Sequence, residues 1–244
     1  MGKKRKNANY ATEKRAQARI EKEKEKRRNK RNKILKAILV PTAIVLLIAA
    51  LVVGLGFIFG WWSGNPNRNF KATHHATLNI KDYGSVHIEL YGEEAPETVK
   101  NFVALVEKGF YDDLTFHRIV DGFMAQGGCP YGTGTGDSGT DIKGEFSANG
   151  VANGVKHVRG TISMAREAND MNSGSSQFFI VHQTSKNNTA SLDGNYAAFG
   201  MVTEGMEVID AMIADVVARE EDPEDIPYSN QPIIESITIH EAHD

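Results

Sequence analysis

The sequence predicts a mainly β domain, a closed antiparallel barrel capped by two helices, preceded by a single transmembrane helix. Three observations carry this. Apolar residues recur at period two in many short runs, they recur at spacings of three and four in only two segments, and charge is absent from Ala37 to Trp62.

Charge divides the chain into unlike parts. Residues 1–36 hold sixteen Lys or Arg and four Glu, while the remainder holds twelve Lys or Arg against 27 acidic residues, so the formal net charge of −3 conceals a basic arm and an acidic body. The uncharged run between them has 26 residues, enough at ~1.5 Å per residue to cross a ~30 Å hydrocarbon core. Trp61 and Trp62 close it as an interface favours, Pro41 lies in its first turns, and the preceding Lys and Arg place the amino terminus in the cytoplasm. A cleaved signal peptide is the rival reading; it fits poorly, because the run is long and ends in tryptophans where a cleavage site needs small residues. The expected organisation is a basic cytoplasmic arm over residues 1–36, a membrane-spanning helix in lipid over 37–62, a linker over 63–74 and an extracytoplasmic domain over 75–244 of a cell-membrane protein.

Within the arm, Glu21 to Lys33 alternates Glu with Lys and Arg and has no apolar face. A solvated arm that enforces topology is the simpler reading, and contact with anionic headgroups, a ribosome or nucleic acid is the other. No nucleic-acid partner is expected. Cys129 is the only cysteine, so the folded domain relies on its core and not on an intrachain disulfide.

In the domain, Thr77–Ile80 and Val86–Leu90 alternate around an Asp82-Tyr83-Gly84 turn, which predicts a hairpin. Pro96 opens a helix in which Val99, Phe102, Val103 and Val106 share a face, with Glu93, Glu94 and Glu97 at its amino end and Gly109 as its stop. A second helix is expected from Met206 to Ala214, with Val208, Ile209, Met212 and Ile213 on one side. The stretch from Gly127 to Gly139 reads as a long surface loop; it lacks the Lys and hydroxyl of a phosphate-cradling loop. The eight His are scattered without ligand spacing, so neither a metal nor another cofactor is expected. Gly136-Asp137-Ser138-Gly139 resembles the nucleophile segment of chymotrypsin-like proteases, but a triad is defined by geometry and four residues do not supply it.

The run from Phe116 to Gly128, FHRIVDGFMAQGG, carries the most chemistry. At period two Phe116 and Arg118 share one face, and Met124 and Gln126 another. A pleated pair then brings a guanidinium, a thioether and an amide together over a greasy pocket, which suits a neutral, partly apolar substrate.

With Ser163-Met164-Ala165, Ser176-Gln177-Phe178-Phe179-Ile180 and Leu192-Asp193-Gly194, this run resembles the core of cyclophilin-type peptidyl-prolyl isomerases over roughly residues 76–242. The resemblance implies an eight-stranded cyclophilin-like barrel and Xaa-Pro segments of polypeptides as substrates; a monomer is expected. It also implies roles for particular residues. Arg118 and Gln126 are the expected catalytic pair; Phe123, Met124, Phe179 and Leu192 form the proline pocket, with Ala165, Gln177 and Tyr196 also in contact with substrate. Two departures stand out: Ser191 replaces the tryptophan that helps bind cyclosporin in well-known members, and Arg166 stands where Asn is common, adding positive charge that would favour acidic substrates.

The chemistry fits these residue types. Rotation about an amide to proline faces a barrier of ~18–20 kcal/mol because the nitrogen lone pair is delocalised. As the bond twists the nitrogen regains that pair, so a donor aimed at it binds the transition state better than the ground state. A guanidinium presents such donors in a rigid fork without proton transfer. The competing reading is a tethered, non-catalytic chaperone or scaffold that binds proline-containing segments, for which Arg118 is not required. The expected role of the enzyme is to assist the folding of exported proteins.

Overall fold

A computed structural model of the protein describes residues 24–26, 28, 65–184, 189–219 and 222–241. The predicted membrane span over 37–62 lies outside the described residues; among the described ones no helix is long and apolar enough to cross a membrane. Of the basic arm, Lys24, Glu25, Lys26 and Arg28 are helical and exposed.

Among the described residues the folded unit carries one eight-stranded sheet in which every pairing is antiparallel. Its strands are β1 (His74–Ile80), β2 (Gly84–Leu90), β3 (Thr115–Val120), β4 (Met124–Cys129), β5 (Thr161–Met164), β6 (Phe178–Val181), β7 (Ala198–Glu204) and β8 (Ile234–Glu241), in the spatial order β3-β4-β6-β5-β7-β2-β1-β8. The expected hairpin is β1–β2, with Leu78 opposite Val86 and Asp82 at a φ of 68° in the turn. The inward residues of the sheet and the helices make one core, in which Phe102 packs on Tyr111, Phe178 and Phe199 with centroids 5.2–5.8 Å apart.

The expected closed barrel is corrected: no continuous ladder joins β3 to β8, so the sheet is a half-barrel with two ends. The chain just before β8 reaches β3 through an isolated Thr115–Ile233 bridge, flanked by the Ile234 N–H to Leu114 carbonyl bond (2.7 Å) and the Phe116 N–H to Pro232 carbonyl bond (2.9 Å). Beyond this seam the chain from Asp222 to Pro232 runs along the outer edge of β3, where the Ile119 N–H reaches the Pro223 carbonyl at 3.0 Å. The exposed edge that an open sheet would leave is covered in this way.

Helix α1 (Pro96–Glu107) has Pro at its start and buries Val99, Phe102 and Val106 as expected; Val103 is only partly buried, and Leu105 joins the core instead. Its amino end is capped from a distance. The buried Glu145 carboxylate accepts the Glu97 N–H (3.0 Å), the Thr98 N–H (2.8 Å) and the Thr98 hydroxyl (2.7 Å), placing a negative charge where the helix leaves its donors unpaired. Helix α2 (Met206–Ala218) runs a turn longer than the sequence pattern indicates, because Val216 is also buried and Tyr83 donates its hydroxyl to Asp215 at 2.5 Å.

Two local readings are corrected. Gly127, Gly128 and Cys129 belong to β4, not to the loop that follows; Gly128, at a φ of 84°, lets the strand pass the Ser176 carbonyl where a Cβ would lie 2.6 Å from it. Within the segment read as a linker, Asn67 is fully buried, donating to the Lys156 carbonyl and accepting the Lys156 N–H at 2.8 Å each.

Candidate functional site

A second apolar cluster lies apart from the main core. Met124, Phe179, Val181 and Leu192 are its buried members, and Val120, Phe123, Ala165 and Tyr196 pack against them. The cluster lines a pocket of about 210 Å³ whose walls are Arg118, Phe123, Met124, Gln126, Ala165, Arg166, Phe179, Leu192 and Tyr196. Eight of the nine residues expected at the site therefore meet in one pocket. Gln177, the ninth, lines an adjoining pocket of about 190 Å³ that shares Gln126, Ala165 and Arg166 with the first.

Arg118 reaches the pocket through an irregularity. Along β3 the partners pass from Phe116–Gly127 to Arg118–Gln126, so His117 has no opposite number and the strand bulges there. Strict alternation would put Phe116 and Arg118 on one face. Instead the extra residue inverts the sequence of faces: Phe116 is fully buried in the main core against Phe178 (6.1 Å), and Arg118 turns outward to the pocket. The expectation that they share a face is corrected on this ground. His117 itself is buried, and desolvation, aided by the Arg118 charge, pushes it down to about 4.

Gln126 is oriented by Gln177. Its side-chain amide donates to the Gln177 Oε1 at 2.9 Å, while the Gln177 amide donates to the Gly134 and Gly136 carbonyls at 2.9 and 2.8 Å. Gln177 thus ties the loop after β4 to the pocket wall. Its position on the sequence alone does not separate this supporting role from direct contact with substrate.

Phe179 forms the floor, edge-on to Tyr196 with centroids 5.8 Å apart. Behind it the His157 ring stacks at 6.1 Å and 17°. His157 is braced on both sides, with Nδ1 3.0 Å from Asp193 and Nε2 3.0 Å from the Ser163 hydroxyl. Burial holds His157 below its usual range against the pull of Asp193. A neutral ring donating from Nδ1 to Asp193 and accepting at Nε2 satisfies both partners. Asp193 stays below the usual carboxylate range: although burial raises it, bonds from the His157 N–H and ring outweigh that. The arrangement has the atoms of a Ser-His-Asp triad, yet Ser163 is fully buried and has no approach for a substrate. Ser138, in the protease-like string, is bonded to the Ser175 hydroxyl at 2.8 Å and has no imidazole partner among the described residues.

Arg166 is less available than its sequence position indicates. Its guanidinium donates to the Asn195, Glu167 and Ala168 carbonyls and lies over the Tyr196 ring at 4.7 Å and the Phe146 ring at 5.4 Å. Stacked there, it serves to hold Tyr196 at the rim.

The sequence reading missed Glu224. Its carboxylate receives two donors of Arg118, the Nε–H and an Nη2–H, the latter at 2.8 Å, and Arg118 in turn holds it below the usual carboxylate range. Separated by 106 positions, the two residues share no local pattern that signals the pairing. The remaining nitrogen of Arg118, Nη1, lies 3.7 Å from the Met124 sulfur and faces the pocket. The assembly offers an apolar cleft for a small ring, a cation at one wall and an amide beside it.

Residues 75–242 match the family model described as cyclophilin type peptidyl-prolyl cis-trans isomerase/CLD. The chain is 45% identical over 141 residues to peptidyl-prolyl cis-trans isomerase B of Bacillus subtilis, covering 58% of this chain and 92% of that protein. A peptidyl-prolyl cis-trans isomerase of Helicobacter pylori is 45% identical over 140 residues, covering 57% of this chain and 79% of the relative. Among solved structures, a cyclophilin type peptidyl-prolyl cis-trans isomerase of Cryptosporidium parvum, crystallised in the presence of the dipeptide Ala-Pro, superposes with a TM-score of 0.58 at 30% identity, over 69% of this chain and 99% of that one.

Proposed function

Because the chain belongs to the cyclophilin-type peptidyl-prolyl cis-trans isomerases, we propose that its pocket divides the work between an apolar cleft that holds the proline ring and a cation that acts on the twisting bond. The chain is a peptidyl-prolyl cis-trans isomerase. Phe123, Met124, Phe179 and Leu192 hold the ring, Ala165 and Tyr196 set its rim, and Gln126, oriented by Gln177, bonds the substrate backbone. Arg118 donates from Nη1 to the proline nitrogen as it regains its lone pair. A hydrogen bond from a charged group contributes about 1.5–3 kcal/mol, so the cation is one contribution among several. The rest comes from holding the peptide in a poorly hydrated cleft.

The single observation that carries this reading is the placement of Nη1 3.7 Å from the Met124 sulfur, beside the cleft that Phe123, Met124, Phe179 and Leu192 line. In Arg118→Ala, turnover of an Xaa-Pro peptide is expected to be largely lost, by at least about tenfold, while its affinity stays within a few-fold. Unchanged turnover would exclude the role given to Arg118 and favour a binding-only site.

The biological setting we propose is membrane-tethered folding of exported proteins, with residues 37–62 as the anchor in lipid, the amino terminus in the cytoplasm and the isomerase, as a monomer, on the outer face. The uncharged run closed by Trp61 and Trp62, the basic arm before it and the acidic body after it support this reading. Protease added to intact cells after removal of any wall should release the isomerase domain; release only after lysis contradicts the topology.

A further inference from the structure

Arg118 is not presented to the pocket by β3 alone. The segment from Asp222 to Pro232 is pinned along that strand by main-chain bonds on both sides of the arginine, from Ile119 N–H to the Pro223 carbonyl (3.0 Å) and from Phe116 N–H to the Pro232 carbonyl (2.9 Å). Asp222 folds its start, accepting the Glu224 N–H at its side chain (3.0 Å) and the Asp225 N–H at its carbonyl (3.1 Å). Gln231 fixes its other end, donating to the Ile226 and Gly132 carbonyls at 2.7 and 2.8 Å. The carboxylate of Glu224 is thereby set against the Nε and Nη2 side of the guanidinium.

A guanidinium engaged along that side is fixed in its plane, since two parallel bonds remove rotation that one would allow. The donors that remain lie on the opposite side, where Nη1 meets the pocket. Without the carboxylate, a side chain that is 29% exposed has no other ionic partner among the described residues to select this rotamer.

We propose that Glu224 is a positioning residue for the isomerase reaction, holding Arg118 so that Nη1 is aimed at the proline nitrogen. The proposal rests on the catalytic role given to Arg118. It assigns Glu224 no contact with substrate. Because the pair is partly exposed, it is also sensitive to salt, which weakens the hold without touching a neutral peptide's affinity.

The test compares isomerisation of a neutral Xaa-Pro peptide by the full chain, by Glu224→Ala and Glu224→Gln, and by the same changes in an Arg118→Ala background. Glu224→Ala should lower kcat about three- to tenfold with KM nearly unchanged, because misplacement of a reacting group costs rate more than binding. Glu224→Gln, which keeps one acceptor, should fall between. Raising the salt should slow the wild type and leave Glu224→Ala unaffected, and Glu224→Ala should change nothing further once Arg118 is gone. A Glu224→Ala enzyme that is as fast as or faster than wild type, or whose loss lies in KM or persists without Arg118, overturns the positioning role. Full activity of Arg118→Ala overturns the role of Arg118 as well, and so separates the two failures.

Discussion

Arg118 stands directly opposite Gln126 across the β3–β4 ladder, because the strand bulges at His117 and brings the two polar groups of the pocket into register. Remove the bulge and the arginine would take the inward position of Phe116. This wall of the pocket therefore depends on one unpaired residue, and that residue is a buried histidine.

His117 makes stability depend on pH. Its folded value of about 4 lies below the unfolded value near 6.5, so between these limits the unfolded chain binds the extra proton. Stability is then full above pH 6.5 and is lost as pH falls through that window, by about 3 kcal/mol at its acid end. We predict that the urea midpoint falls between pH 7 and pH 4 and that His117→Gln removes part of the fall; an identical slope in the variant would contradict the assignment.

Glu145 is predicted to hold α1 from outside the helix. Glu145→Ala leaves the Glu97 and Thr98 donors without their carboxylate, and a loss of about 2–4 kcal/mol is expected for three bonds to a buried charge. Calorimetry checks this, and a Tm within a degree or two of wild type would refute it.

The strand passage at Gly128 admits no side chain. Gly128→Ala adds strain at a φ of 84° and a Cβ 2.6 Å from the Ser176 carbonyl, for an expected cost of about 2–4 kcal/mol. An alanine variant as resistant to urea as the parent would show that the backbone relaxes there.

Phe179 links binding to the His157 brace. Phe179→Ala should weaken Xaa-Pro peptide binding at least about tenfold and destabilise the domain by about 3 kcal/mol, because the ring both floors the pocket and covers His157. Titration of the folded variant with peptide decides it: affinity within twofold of wild type would place the proline elsewhere.

What the sequence makes legible follows from what is local. Alternation around Asp82-Tyr83-Gly84 reveals β1–β2, and Pro96 with its apolar face reveals α1. The pocket residues are legible through their joint order along the chain, not singly, since Phe179 or Leu192 alone reads as core. Period-two reasoning fails at Phe116 and Arg118, because a bulge costs one residue and leaves no mark in the apolar pattern. The last turn of α2 depends on the burial of Val216, and the capping of α1 on a carboxylate 47 or 48 positions away. Glu224 carries no local pattern that points to Arg118, and only the path of its backbone along β3 brings the two together.

The most direct measurement is the cis-to-trans rate of an Xaa-Pro peptide with the purified protein beside its Arg118→Ala variant, with peptide affinity measured for both. The expected result is acceleration by the wild type that is largely lost in the variant, with affinity held within a few-fold. A folded protein that binds the peptide but does not accelerate it, or a variant as fast as the wild type, would contradict it.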